Sequence, residues 1–435
     1  MRERIDAVIL YEVAPRELDT ALAIKCLAED RYGLRLEVAQ QYAHYPAVID
    51  GFQPRVVMLP YGYHEGSHRR YLLEWTDAIY FNMAWEQFFY PGNRRAKSPQ
   101  GEFAVKRVVH HAWSTSYVDF LKEHGVPDSH IFLNGHPAYQ LYLPPYRDYF
   151  LDRAQLADRH GLDPHRRWIF FPENYNWAFY AEDSIREFIQ RGQDPRQVQE
   201  MRDFAMQSFA EAMRWCRALV LDGDTELILR PRPSTMPDDL EAMAREVLGA
   251  IPSGLHVIAG ETVREWNLAS DCVVSSYSTT LIEAAVAGKP ALILEPLPIP
   301  ESLHVRWHDL LPHVRSSSEL SEACRAGSSN SGTPELRDWA HATMLSRGDP
   351  ILALASFLNE VCRGDVTYEP PSIASISPRE RYYLWPWLSF LIRRWYVRIF
   401  RPRQSYSPVD NRDVPTSSQM AEKIARWKHV LVGAS

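Results

Sequence analysis

The stretch Asp271–Pro290, D-C-V-V-S-S-Y-S-T-T-L-I-E-A-A-V-A-G-K-P, constrains the fold more than any other part of this chain. A short apolar run, Cys272 to Val274, stops in a hydroxyl-rich turn, Ser275 to Thr280. A helical stretch from Leu281 to Ala287 follows, closed by Gly288, and then a second apolar run, Ala291 to Leu294. Strand, polar turn, helix, strand is the unit of a parallel α/β sheet. In such a unit the turn offers hydroxyls and backbone N–H groups at a helix start, where an anion such as phosphate is favoured. Thr280 and Glu283 also read as a T-x-x-E capping box, and Gly288 suits a left-handed C-cap.

The same alternation runs through most of the chain. Apolar runs at Ala7–Tyr11, Leu34–Val38, Arg55–Leu59, Thr76–Tyr80, Arg107–Trp113 and Ile131–Leu133 read as strands separated by helices. A second series begins at Trp168–Phe171 and continues through Glu226–Leu229, Leu255–Ile258, Cys272–Val274 and Ala291–Leu294. A length of 435 residues favours two cores over one. The expected fold class is α/β, with two doubly wound Rossmann-like domains facing a cleft. The expected boundaries are 1–145, 146–365 and a C-terminal extension, 366–435. The extension holds a basic, aromatic amphipathic stretch at 382–403 that fits a helix lying on an anionic membrane surface.

Composition removes several function classes. A net charge of −7 provides no basic field for nucleic acid. Five scattered cysteines, without C-x-x-C spacing, fit reduced thiols in a cytoplasmic protein, peripheral on the membrane at most. Walker, G-x-G-x-x-G, G-x-S-x-G and H-E-x-x-H motifs are all absent from the sequence.

What remains is a set of polar residues at expected strand ends. In the second half these are Glu173 and Asn174, then Arg230 and Arg232 with Ser234 and Thr235, then Ser275, Ser276, Tyr277, Ser278, Thr279 and Thr280. Arginine forks and hydroxyls suit the phosphates of a nucleotide sugar. In the first half the strand-end loops hold His64 and Glu65, then Trp85, Glu86 and Gln87. Glycosyl transfer needs a base for the acceptor hydroxyl, and Glu86 is the first candidate, before Glu65 and His64.

R-P-R-P-S followed by S-D-C-V-V-S-S-Y-S-T-T-L-I-E-A-A-V-A-G-K-P-A resembles GT-B glycosyltransferases, as do W-E-Q and the strand-end N-G-H-P. The likeness is to bacterial surface carbohydrate biosynthesis proteins, related in layout to Kdo and sialic acid transferases and to the glycerophosphotransferases of capsule and wall teichoic acid synthesis. It spans roughly Ala7 to Pro296. The resemblance implies a nucleotide-sugar donor (CMP-, UDP- or GDP-linked) in the second domain, with Glu283 as an added nucleotide contact. It implies a saccharide or lipid-linked acceptor in the first domain, and no obligatory metal or other cofactor. A CDP-polyol phosphotransferase and a non-catalytic GT-B-like scaffold share the layout. Related transferases carry His-Pro where this chain has Arg232-Pro233; arginine keeps the positive charge but cannot donate a proton at neutral pH.

Overall fold

The computed structural model describes residues 2–64, 68–90, 94–190, 192–233, 235–326, 333–370, 392, 395 and 414–432. Two compact units account for the chain. The first runs through Tyr149 and takes the chain back from His341; the second is Phe150–Ala340.

In the first unit six strands lie in the order β2-β1-β3-β4-β5-β6. They are β1 Glu3–Tyr11, β2 Leu36–Gln40, β3 Phe52–Leu59, β4 Ile79–Asn82, β5 Val108–Ala112 and β6 Ile131–Leu133. Every pairing is parallel, with Ile9 opposite Val38 on one side of β1 and Met58 on the other. Parallel strands buried on both faces read as continuous apolar runs, and Ala7–Tyr11 has no exposed member.

The helix α1, Ala14–Tyr32, is buried beyond what one sheet face can cover: Leu22, Ala23 and Ile24 are all fully buried. Its other faces are covered by two helices that return from far along the chain, Pro350–Arg363 and Ser417–Val432. Trp427 of the latter is fully buried and stacks on Tyr149 at 3.9 Å. Lys423 Nζ reaches the buried Asp19 carboxylate of α1 at 3.1 Å. The sequence reading carried the second domain to residue 365, whereas His341–Arg363 belongs with the first unit. The physical reason is that the apolar face of Pro350–Arg363 covers α1 and β3.

The second unit has the order β12-β11-β10-β7-β8-β9, again wholly parallel. Its strands are β7 Arg167–Pro172, β8 Thr225–Arg230, β9 Leu255–Val257, β10 Cys272–Ser275, β11 Ala291–Leu294 and β12 His313–Val314. The long helix Pro195–Val220 packs Phe209, Met213 and Cys216 into a core with Leu227, Leu229 and Val274. The expected helix at 382–403 lies outside the described residues, apart from Ile392 and Trp395, which are exposed. Among the described residues no helix is long and apolar enough to cross a membrane.

Candidate functional site

In open parallel sheets, ligands bind beyond the carboxyl ends of the strands, where the winding reverses direction. In the second unit that reversal lies between β7 and β10: the chain winds from β7 through β8 to β9, then returns to the other side of β7. The loops at this point carry Glu173 and Asn174 after β7 and Ser275–Thr280 at the end of β10, while one strand away Arg230 ends β8 and Arg232 follows it. Residues far apart in sequence are thereby gathered at the ends of three neighbouring strands.

Within this cluster the side chains divide into those that build it and those that face outward. Ser275 is fully buried, and its hydroxyl donates to the Pro172 carbonyl at 2.7 Å, tying β10 to β7. Ser276 and Tyr277 are also buried. Arg230, at the end of β8, turns inward and donates to the carbonyls of Pro231 (3.2 Å) and Glu261 (2.8 Å). It is a loop staple as placed, and the half-buried Arg232 is the more available cation. Arg232 lies 3.4 Å from Asn174 Oδ1. Glu173 is buried and accepts from the Tyr175 N–H and from Thr235 Oγ1 (3.1 Å). Burial raises its pKa, with Arg232, Tyr175 and Thr235 pulling the other way. Ser234 lies outside the described residues.

The turn itself differs from the expected capping box. The helix is Thr280–Val286 with Thr279, not Thr280, at its N-cap and no side-chain cap bond. Ser278 Oγ instead accepts from the Thr280 N–H (3.3 Å) and bonds Thr280 Oγ1 (3.1 Å). The Leu281 and Ile282 N–H groups are committed to Ser278 and Thr279 carbonyls. The first helical N–H groups are thus spent inside the turn, and the half-buried Ser278 and Thr279 form its outward edge. Glu283 is half-buried on the first turn of the helix. Gly288 has φ +74°, the left-handed conformation read for it.

In the first unit the winding reverses between β1 and β3. The segment after β1 brings Glu12 and Arg16, the segment after β3 brings Tyr61 and His64, and the segment after β4 brings Trp85 and Glu86. Arg16 is the hub. It donates to Glu17 Oε1 and to Glu86 Oε1, each at 2.6 Å, comes within 3.9 Å of Glu12, and sits over the Tyr61 ring at 5.6 Å. Lys97 pairs with the other oxygen of Glu86. Burial and the neighbouring Arg16 lower the Lys97 pKa to about 8. Glu86, the expected base, is therefore a carboxylate held by two cations. His64 is exposed and its backbone bridges to Gln100. Glu65 lies outside the described residues. Glu12, Arg16 and Lys97 were not singled out by sequence; the one available signal was that Glu12 directly follows the first strand.

Two further motifs hold the scaffold. Asn82 is fully buried at the end of β4. Its Oδ1 accepts from the N–H groups of Gly62 (2.9 Å) and Ala84 (3.0 Å), and its Nδ2 meets His110 Nδ1 at 3.0 Å. Ala84 has φ +47°, which this bond helps to hold next to Trp85 and Glu86. The N-G-H-P loop receives the returning chain. The His136 N–H donates to the Met344 carbonyl (2.8 Å), and Asn134 Nδ2 donates to that of Pro350 (2.8 Å).

No protein-family model matches the chain, and no curated protein matches it. Solved structures do match its fold. A UDP-N-acetylglucosamine 2-epimerase aligns with TM-score 0.52 at 11% identity, over 86% of this chain and 100% of that one. The UDP co-structure of S. aureus MnaA aligns at 0.50 and 10%, with the same coverage. The wall teichoic acid polymerase TagF aligns at 0.50 and 11%, over 83% of this chain and 88% of that one. At these identities the likeness establishes the fold, the two-domain α/β architecture of GT-B-type enzymes.

Proposed function

We propose that this chain is a transferase that moves a sugar from a nucleotide-sugar donor to a saccharide or lipid-linked acceptor in bacterial surface polysaccharide assembly. The observation that carries the reading is the convergence of Asn174, Arg232 and the Ser278–Thr279 edge on neighbouring strands where the second sheet reverses its winding. The donor diphosphate or monophosphate is held there. Arg232 supplies the positive charge that steadies the leaving phosphate, and the hydroxyls orient it. The acceptor is held at the matching reversal of the first sheet, where carboxylates gather around Arg16. Handing the proton of the acceptor hydroxyl to one of them makes the oxygen nucleophilic.

A thermal-shift screen with CMP, CDP, UDP and GDP tests the donor site. A nucleotide at a hundred times its Kd stabilises the native state by about 2.7 kcal/mol. Arg232→Ala and Ser278→Ala should each abolish that shift while leaving the unliganded transition in place. Unchanged shifts in both variants would remove this donor site. A response to CDP alone would move the reading to polyol-phosphate transfer. Nucleotide binding without turnover of any linked donor would make the chain a scaffold.

A further inference from the structure

Three carboxylates and two cations meet where the first sheet reverses its winding: Glu12, Glu17 and Glu86 against Arg16 and Lys97. A base must have an oxygen lone pair free for the incoming proton and must be reachable. The bonds around Arg16 decide which of the three qualifies. Glu17 is fully buried. One of its oxygens accepts from Arg16 and the other from the Glu12 backbone N–H at 2.6 Å, so both are used. Glu86 is exposed enough to meet a substrate, but Arg16 holds Oε1 and Lys97 holds Oε2. Proton uptake there would break a two-cation clamp. Among the described residues Glu12 has only the 3.9 Å approach of Arg16, and its side chain keeps 19% exposure. Among the described residues two cations face three carboxylates, and the surplus negative charge falls on the one held least. Burial and the adjacent Glu17 raise the Glu12 pKa against the opposing pull of Arg16, in the direction that suits a base working near neutral pH.

We propose that Glu12 is the general base of the transfer reaction, and that Arg16 and Lys97 keep Glu86 as a fixed counter-charge. The assignment rests on the transfer reading above. Glu12 takes the proton of the acceptor hydroxyl as that oxygen forms its bond to the anomeric carbon. The bond from the anomeric carbon to the phosphate oxygen breaks, and its electron pair leaves on the nucleotide phosphate. The geometry favours Glu12 for a second reason. It follows β1, one of the two strands that flank the reversal, whereas Glu86 follows β4, one strand further out.

The test uses the full chain and follows nucleotide release from CMP-, CDP-, UDP- and GDP-linked sugars in the presence of methyl glycosides. Glu12→Gln keeps the size of the side chain and leaves the backbone N–H to Glu17 in place. It should lower kcat about 10²–10⁴-fold with donor KM within threefold, and abolish the acid limb of the pH profile. Glu86→Gln should lower kcat no more than about tenfold and retain that limb. A direct readout is the ¹³C titration of δ-labelled glutamates, in which Glu12→Gln should remove the resonance that titrates at the highest pH in this cluster. The assignment is overturned if Glu12→Gln keeps kcat within threefold, or if the acid limb vanishes with Glu86→Gln instead. A wild-type chain that binds none of the four nucleotides overturns the transfer reading and this assignment with it. Turnover unaffected by Glu12→Gln overturns this assignment alone.

Discussion

Loss of the Asn82 side chain should be costly because of what its few atoms hold. It is fully buried, and one oxygen satisfies two backbone N–H groups, those of Gly62 and Ala84. Its amide nitrogen faces His110 Nδ1, while His110 Nε2 lies 2.6 Å from the Ala104 carbonyl. The carbonyl must accept, so Nε2 carries the proton and Nδ1 accepts from Asn82. Asn82→Ala leaves two buried donors and one buried acceptor without partners. At about 1–3 kcal/mol for each of these three orphaned groups, the variant should lose about 3–9 kcal/mol. That is a large part of the stability of an ordinary domain, about 5–15 kcal/mol. Ala84, no longer held at φ +47°, should relax and carry Trp85 and Glu86 with it. Urea unfolding followed by circular dichroism gives the energy, and hydrogen exchange on peptides covering 60–64 and 83–87 gives the location. His110→Ala breaks the same chain of bonds, so the double variant should cost less than the sum of the singles by about 0.5–3 kcal/mol. A loss below about 1 kcal/mol, with exchange unchanged in both loops, would refute the reasoning.

Two other outcomes follow from the first unit. Gly135 sits at φ +105°, and a Cβ there would lie 2.5 Å from the Met344 carbonyl oxygen, so Gly135→Ala should cost about 2–4 kcal/mol and speed exchange across 341–350; wild-type stability would count against the close approach. Burial lowers the pKa of His110 and of His111 to about 4, from an ordinary 6.5. Unfolded chains therefore take up protons below pH 6.5 that the native fold refuses, and stability should fall as pH falls, by about 3–4 kcal/mol between pH 6.5 and 5. Urea midpoints that do not move across that interval would show that both rings protonate in place.

The reading of the sequence succeeded where one local signal sufficed. Among the described residues, apolar runs bounded by polar turns located eleven of the twelve strands, because a doubly covered parallel strand leaves no other pattern; the two-residue β12 was missed. The positions of Asn174, Arg232 and Ser278 at strand ends followed from the same periodicity. The misses are long-range. Nothing in the amphipathic pattern of Pro350–Arg363 states which sheet it covers. The T-x-x-E box does not form: the helix caps at Thr279 without a side-chain bond, and Ser278 takes the Thr280 N–H that the box would have used. Arg230 looked like a ligand-binding fork because its carbonyl partners, Pro231 and Glu261, leave no mark in composition. Glu86 looked free because its cations come from 70 positions upstream and 11 downstream.

The covering of α1 has a consequence for how the chain is made. The Cys26 thiol meets the Ile424 carbonyl across 398 positions, and Asp19 meets Lys423 across 404. At about 5–20 residues per second, a ribosome needs roughly 20–80 s to supply the second partner after the first has emerged. For that interval Asp19 lacks its lysine and the flank of α1 faces water, and for a shorter one Tyr149 lacks the indole that stacks on it. The sheet that α1 covers must therefore wait, half-dressed and in reach of chaperones, for the helix Ser417–Val432 to be translated.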